Sequence, residues 1–350
     1  MAVTLKEIAR LAGVSRPAVS LVMRDPETKH VAEEKRREIL RLAKELDYRP
    51  DYAAMKLRGK PTRSVGILGS LFSVPIHAAI TDGVMKRLWE RGYQVLLGDH
   101  YCSADKERQI AAELETRGVD GLILTNTVDA SLLDALRSPF VAVTHNQSYF
   151  DLAVDLRLGG LLAGRHLLEH GHRRLGFVAG GRQSGLLRRE GLAAALDAAN
   201  LDFKPNWTVH HEDSGANFGG TLAELVKKEG VTGFFCLNDF FAAKVIRELG
   251  KRGVGTPRDA AVIGFDGLAF GALTTPSLCS VAQPVARLAA AAVDLMIARI
   301  EAPWDRRPAP ELLSPTLCLG ESCGCHPAEA EWQASRQLTL PETDLGVIRK

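Results

Sequence analysis

A chain of 350 residues exceeds one small domain and suits two or three folded units. Its 44 basic and 42 acidic residues nearly cancel, yet residues 1–63 hold 15 Lys/Arg against 9 Asp/Glu while the remainder holds 29 against 33. A basic head on a mildly acidic body suits contact with a polyanion, although charge alone fits a solvated lysine-rich helical face equally well.

The start, MAVTLKEIAR, has no long apolar core or small-residue cleavage pattern, so no secretory signal is expected. Thr4-Leu5-Lys6-Glu7 instead has the form of a capping box, followed by one apolar face at Leu5, Ile8, Ala9 and Ala12. Gly13 permits a tight turn, with Val14 to anchor it. Ser15 caps a second helix with Pro17 in its first turn, where a missing N–H costs little, and Val19, Val22 and Met23 face inward. A third amphipathic helix is expected over Ala32 to Asp47, with Ile39, Leu40, Leu42, Ala43 and Leu46 inward. Two short helices joined by a Gly-containing turn fit a helix-turn-helix; a three-helix protein-binding bundle has the same spacing.

Arg49-Pro50 ends the third helix, because the residue before proline avoids helical dihedrals. Asp51 to Arg58, closed by Gly59, are good helix formers but too few to hold a helix alone. Either a flexible linker or a segment ordered by a partner chain and DNA is compatible with them.

From Ser64 a beat of apolar run, turn and helical stretch repeats. Strands are read at Val65–Leu68, Gln94–Leu97, Gly121–Leu124, Val141–Val143, Leu175–Val178, Gly233–Leu237 and Val262–Phe265. Helical segments include Ile80–Arg91, Lys106–Arg117, Leu158–His170, Leu186–Ala199 and Phe241–Arg252. Such alternation predicts parallel α/β sheets, whose ligands sit beyond the carboxyl ends of the strands. The loops there carry Ser70 to Pro75 with Phe72, Asp99-His100, Thr125-Asn126, His145-Asn146, Gly180-Gly181-Arg182-Gln183, Asn238-Asp239 and Asp266. Amides, carboxylates and an arginine converging on one cleft suit a polyhydroxylated ligand. Each residue taken alone also suits turn capping. Ser70, Phe72, Asp99 and Asn126 are the expected ligand contacts on the first half of the body.

No stretch approaches the ~18–20 apolar residues of a membrane span. The scattered cysteines (102, 236, 279, 318, 323 and 325) read as reduced thiols of a cytoplasmic protein. Cys323-Gly324-Cys325-His326 could attract a metal, but four ligands at workable spacing are absent, so neither metal nor cofactor is expected.

The stretches TLKEIARLAGVSRPAVSLVM and REILRLAKELDYRPDYAAMKLRG, with their YRP-x-x-A-A-x-x-L segment, resemble the DNA-binding head of the LacI/GalR family of bacterial regulators. EHGHRRLGFVAG, LLRREGLAAAL, FFCLNDFFAAKVIRELG, AAVIGFDG and TTPSLCSVAQP extend the resemblance through a periplasmic-binding-protein-like core to about Cys323. The resemblance implies a three-helix head over residues 1–50, a hinge helix and linker over 51–63, and a two-lobed α/β effector-binding and dimerisation body over 64–323. The polar tail 324–350 has no assigned role and no apolar heptad, which favours a dimer over a coiled-coil tetramer.

By the same resemblance the second helix enters the major groove of a palindromic operator. Ser15, Arg16, Pro17 and Ser20 fall at its base-reading positions, with Arg16 able to bond guanine O6 and N7. Thr4, Tyr52, Ala53 and Leu57 complete the expected DNA-contacting set, Leu57 as a minor-groove wedge. Arg188 is the expected effector arginine, Asn238 and Asp266 further contacts, and Asp155 the residue at the interlobe crossing. Pro17, and Leu21 in place of a common Arg, depart from the family pattern and prevent copying an operator from relatives. Gly267 for a frequent second Asp, Leu156 for Asn, and a loop around Glu212 without a stacking aromatic weaken a plain hexose as effector.

The resulting expectation is a regulator, most naturally a repressor, modulated by a sugar or sugar derivative in the cleft. A nucleobase or a partner protein is the alternative. An enzyme could pair Asp99 with Asp266, but G-x-S-x-G, P-loop and H-E-x-x-H signatures are absent. A transport binding protein would share the body but not the basic head.

Overall fold

The computed structural model describes residues 3–48, 61–72, 74–143, 149–180, 185–302 and 309–325. The chain forms two compact units, Met1–Thr62 and Arg63–Lys350.

The first unit holds α1 (Leu5–Ala12), α2 (Arg16–Arg24) and α3 (Glu33–Glu45). The Thr4 hydroxyl accepts the Glu7 amide at 3.3 Å, and α1 ends on Gly13 at φ 63°. This left-handed cap suits glycine, which has no Cβ to clash. The Ser15 hydroxyl accepts the Ala18 amide at 3.3 Å, opening α2 with Pro17 in its first turn. Helix α3 is slightly shorter than expected. Ala32 has no side chain to cap it, and Asp47 lies past its end at φ 46°. Lys35 Nζ donates to the Ala12 carbonyl at 2.9 Å, fastening α3 to the end of α1. Ile8, Ala9, Ala12, Val19, Val22, Ile39 and Ala43 form the core, with Leu5, Val14, Met23, Leu40, Leu42 and Leu46 packed around it. The expected hinge helix, with Tyr52, Ala53 and Leu57, lies outside the described residues.

The second unit begins with β1 (Ser64–Gly69), α4 (Pro75–Glu90), β2 (Gln94–Asp99), α5 (Ala104–Arg117), β3 (Gly121–Leu124) and β4 (Phe140–Ala142). It continues through β5 (Leu152–Val154), α6 (Leu156–Glu169), β6 (Leu175–Ala179), α7 (Leu186–Asp197) and β7 (Thr208–His210). Then follow α8 (Phe218–Lys227), β8 (Gly233–Cys236), α9 (Asp239–Gly250), β9 (Ala261–Asp266), β10 (Cys279–Ala282), α10 (Val285–Glu301), β11 (Glu311–Leu313) and β12 (Thr316–Cys318).

The strands build two sheets, β2-β1-β3-β4 and β12-β10-β9-β8-β6-β7, parallel except for β12. β5 and β11 pair with each other, and these two segments carry the chain between the lobes. The alternation of a buried strand is plain in β8: Phe234 enters a core beneath α8 and α9, and its neighbour Phe235 the opposite core, shared with α6 and α7. Helix α10 leaves the second sheet and packs on α4 and β3 of the first. A bidentate ion pair holds it there. Arg299 Nη1 and Nη2 donate to the two Asp151 oxygens at 2.8 and 2.6 Å, while one of those oxygens also accepts the Ala142 amide at 2.8 Å.

Two helices approach unusually closely. A Cβ on Gly160 of α6 would lie 1.9 Å from the Arg188 carbonyl oxygen of α7, and one on Gly191 2.0 Å from the Arg157 oxygen of α6.

All seven strands expected from sequence are present, β4 displaced by one residue. Strands β5, β7, β10, β11 and β12 and helices α8 and α10 were not named. The reading of the cysteine-rich end needs correction. Four metal-ligating residues are brought together there, because α6 supplies His166 and His170 to Cys323 and Cys325 from over 150 positions earlier in the chain.

Candidate DNA-reading helix and ligand cleft

In the head, Thr4, Ser15, Arg16 and Pro17 are exposed and Ser20 is half-buried, whereas Val19 and Val22 on the same helix are enclosed. The first turn of α2 thus presents Arg16 and Pro17 outward on a helix pinned from behind, the placement a base-reading element needs. Leu21, the other departure on this helix, is half-buried.

In the body, the strand order places the β1/β3 boundary of the first sheet and the β6/β8 boundary of the second where connections reverse direction. The helices that follow β1 and β6 bring His77 and Arg188 within electrostatic reach of each other. Burial holds the His77 imidazole below its ordinary pKa, against the hydrogen bond to the Ser70 carbonyl, and the charges of His100 and Arg188 push the same way. His77 belongs to the first lobe and Arg188 to the second.

The first-lobe residues are engaged mainly in tying the loops after β1, β2 and β3 to one another. Asp99 accepts the amides of Leu71 at 3.1 Å, Phe72 at 3.3 Å and Tyr101 at 2.8 Å. Ser70 is buried, and its hydroxyl meets the Cys102 thiol at 3.4 Å. His100 accepts the Cys102 amide on Nδ1 at 3.0 Å, which leaves the Nε2 proton to the Asn126 carbonyl at 3.0 Å. That bond holds Asn126 at φ 149°, a backbone state L residues avoid. Phe72 is 67% exposed beyond β1, Tyr101 is 65% exposed beyond β2, and Phe240 is 61% exposed beyond β8. Aromatic faces are thus open at three strand ends.

The second-lobe residues carry the charge. The Arg188 guanidinium lies over the Phe265 ring, and its buried Nε has no hydrogen-bond partner among the described residues. Burial lowers the Arg188 pKa, opposed by the negative potential of Asp266 and Asp239. Asp266, buried at φ 116°, accepts Gln283 Nε2 at 2.8 Å. Burial pushes its carboxyl up to about 7, against Arg188 and that hydrogen bond. The Gln283 Oε1 is buried without a partner among the described residues. Asn238 caps α9, its Oδ1 accepting the Phe241 amide at 2.9 Å, which leaves its amide hydrogens for other acceptors. Asp155 caps α6 by accepting the Leu158 amide at 2.8 Å, and its own amide donates to the Leu313 carbonyl of β11. It therefore sits at the crossing between the lobes.

The structure thus brings Arg188 and Asp266 together with three groups that sequence reasoning missed: Phe265, Gln283 and His77. Gln283 lay within the SVAQP stretch; nothing in the sequence singled out His77. His145, Asn146 and Arg182-Gln183 lie outside the described residues, as does Gly181. The departures have local reasons. Gly267 has φ 72°, and a Cβ there would sit 2.5 Å from the Ala282 Cβ, so a second Asp does not fit. Leu156 is buried at the start of α6. Near Glu212, His211 sits against Phe218 and Phe241 and takes a 2.5 Å hydrogen bond from Lys244 Nζ.

No described helix is long and apolar enough to cross a membrane. Residues 4–51 match the lacI family of bacterial regulatory proteins, and residues 165–323 a periplasmic binding protein-like domain. The chain is 31% identical over 309 residues to the HTH-type transcriptional repressor PurR of Serratia proteamaculans, spanning 85% of this chain and 90% of that protein. Among solved structures, the transcriptional regulator CelR–cellobiose complex superposes with a TM-score of 0.65 and 28% identity, covering 91% of this chain and 99% of that one. The lac repressor dimer bound to operator and the anti-inducer ONPF shares the fold, with a TM-score of 0.75 and 22% identity over 92% of this chain and 99% of that one. These relatives are named as transcriptional regulators or repressors. The chain belongs to the lacI family of bacterial regulatory proteins and is a DNA-binding, effector-regulated transcriptional repressor.

Proposed function

We propose that the protein works in the cytoplasm as a homodimer on a palindromic operator, releasing or tightening its hold when a small polar ring compound enters the interlobe cleft. The head, residues 1–50, reads the operator through Arg16. The hinge, residues 51–63, seats Leu57 in the minor groove, and residues 64–323 sense the ligand. The observation that carries the sensing role is the Arg188–Asp266–Gln283 group, enclosed yet left, among the described residues, with an unpartnered donor on Arg188 and an unpartnered acceptor on Gln283. Buried polar atoms without partners cost stability, and a ligand that satisfies them recovers it.

A carbohydrate is the first reading of that ligand. A guanidinium, a carboxylate and two amides can each bond paired hydroxyls, and the cellobiose-bound regulator CelR supports this class. A nucleobase is the second reading, favoured by the greater likeness to repressors named PurR and by the open rings of Phe72 and Phe240, which suit stacking on a flat ligand. Selecting genomic DNA on the purified protein identifies the operator. Thermal shift against pentoses, hexoses, disaccharides and purine and pyrimidine bases then separates the classes. A response to neither class, with operator binding intact, defeats the small-molecule reading in favour of a partner protein.

A further inference from the structure

Within the second unit, the C-terminal end of α6 meets the last described segment of the chain. His166 and His170 are four positions apart and share one face of the helix. Cys323 ends a single 3-10 turn, Glu321–Cys323, and Cys325 follows Gly324, whose φ of 94° bends the backbone so that both thiols face the helix. His166 Nε2 lies 3.2 Å from Cys323 Sγ and 3.6 Å from Cys325 Sγ, and His170 Nε2 lies 3.2 Å from Cys325 Sγ. All four ligand atoms fall within 4.8 Å of one another.

We propose that His166, His170, Cys323 and Cys325 bind one zinc ion as a closed, structural Cys2His2 site. In a tetrahedral zinc site, bonds of about 2.3 Å to sulfur and about 2.0–2.1 Å to nitrogen separate neighbouring N and S ligands by about 3.6 Å. The observed N···S separations of 3.2 to 3.6 Å match that edge without rearrangement of the backbone. The outer contacts fit as well. His170 Nδ1 donates to the His166 carbonyl at 3.0 Å, so its Nε2 carries the lone pair that a metal takes. The Cys323 loop is fixed before any ion arrives. The neighbouring Ser322 hydroxyl donates to the Val262 carbonyl at 2.6 Å and accepts the Cys279 amide at 2.8 Å. Two thiolates and two imidazoles form a neutral set around a divalent ion, with soft sulfur favouring zinc over magnesium or calcium. Binding releases the thiol protons to solvent and changes no oxidation state. Four protein ligands leave no position for substrate, so the ion acts as a clip between the Cys323–Cys325 segment and α6.

The test uses the full chain purified without chelator. Elemental analysis should find about one zinc per chain, as a Cys2His2 site holds. After stripping, cobalt(II) chloride should produce thiolate-to-cobalt charge transfer and the intense visible bands of a tetrahedral ion, and zinc chloride should bleach them. His170→Ala and Cys325→Ser should abolish both metal content and spectrum, with folding checked by circular dichroism. Cys102→Ser and His326→Ala should keep them. His170 is exposed, so its removal is not expected to unfold the body. The proposal is overturned if the wild type takes up neither zinc nor cobalt. It is equally overturned if His170→Ala and Cys325→Ser bind as the wild type does, or if His326→Ala alone removes the metal.

Discussion

Arg188 stacks on Phe265, its guanidinium carbon 4.0 Å from the ring centroid. The ring orients the arginine without using a single N–H, and the buried Nε has no hydrogen-bond partner among the described residues. A cation over an aromatic face is worth about 2 kcal/mol or more when desolvated. A group held this way keeps its position and its hydrogen-bonding capacity together.

Replacing Arg188 by Met keeps the stem and removes the fork. Ligand response in an operator-binding titration should fall at least ten-fold, since a lost charged hydrogen bond costs about 1.5–3 kcal/mol. Apo operator affinity should stay within a few fold. Equal loss of apo binding would show that Arg188 supports the fold rather than the ligand.

Asp266 makes stability depend on pH in a defined direction. Its folded carboxyl holds its proton up to about 7, whereas the unfolded one releases it near the ordinary 3.8. Between those values the folded state binds more protons, so stability falls as pH rises, and the loss is complete above about 7. Asp266→Asn removes this dependence. Urea midpoints from pH 4 to 8 should show the variant gaining on the wild type by up to a few kcal/mol. Parallel curves would mean that the carboxyl is ionised throughout.

The Arg299–Asp151 pair should behave as a buried ion pair, both side chains being nearly enclosed. Breaking it from one side, as Arg299→Met or Asp151→Asn, should cost about 3–5 kcal/mol. The double variant should cost less than the sum of the two. Additive losses in chemical denaturation would show that the partners act independently.

On DNA, Arg16→Ala should cost about 1–3 kcal/mol on the selected operator and relax base choice at one position, leaving random-sequence affinity nearly unchanged. Equal loss on both would make Arg16 a phosphate contact.

The head was almost fully legible in the sequence, because its signals are local: Thr4 and Ser15 cap within three residues, and Gly13 stops α1 where it stands. The long buried strands were legible for the same reason. β5, β11 and β12 were not, since three-residue strands are defined by partners far along the chain, as Leu152 is by Glu311. The cleft divides likewise. Arg188 came from resemblance, and Asn238 and Asp266 from strand-end placement as well, but Asp99 accepts two backbone amides of the loop after β1 and one of its own, a role in loop shaping that the sequence did not reveal. Gln283 and Phe265 acquire meaning only once β9 and β10 lie side by side.

The close approach of Gly160 to the Arg188 carbonyl has a mechanical meaning. With under 2 Å available for a Cβ at that crossing, α6 and α7 have no play between them. A ligand that draws Arg188 is therefore expected to move α6 with it. Asp155 rides on one end of that helix and His166 near the other. Displacement at Arg188 is expected to reach the lobe crossing and the Cys323 end of the body together, like the turn of a key in a close-fitting lock.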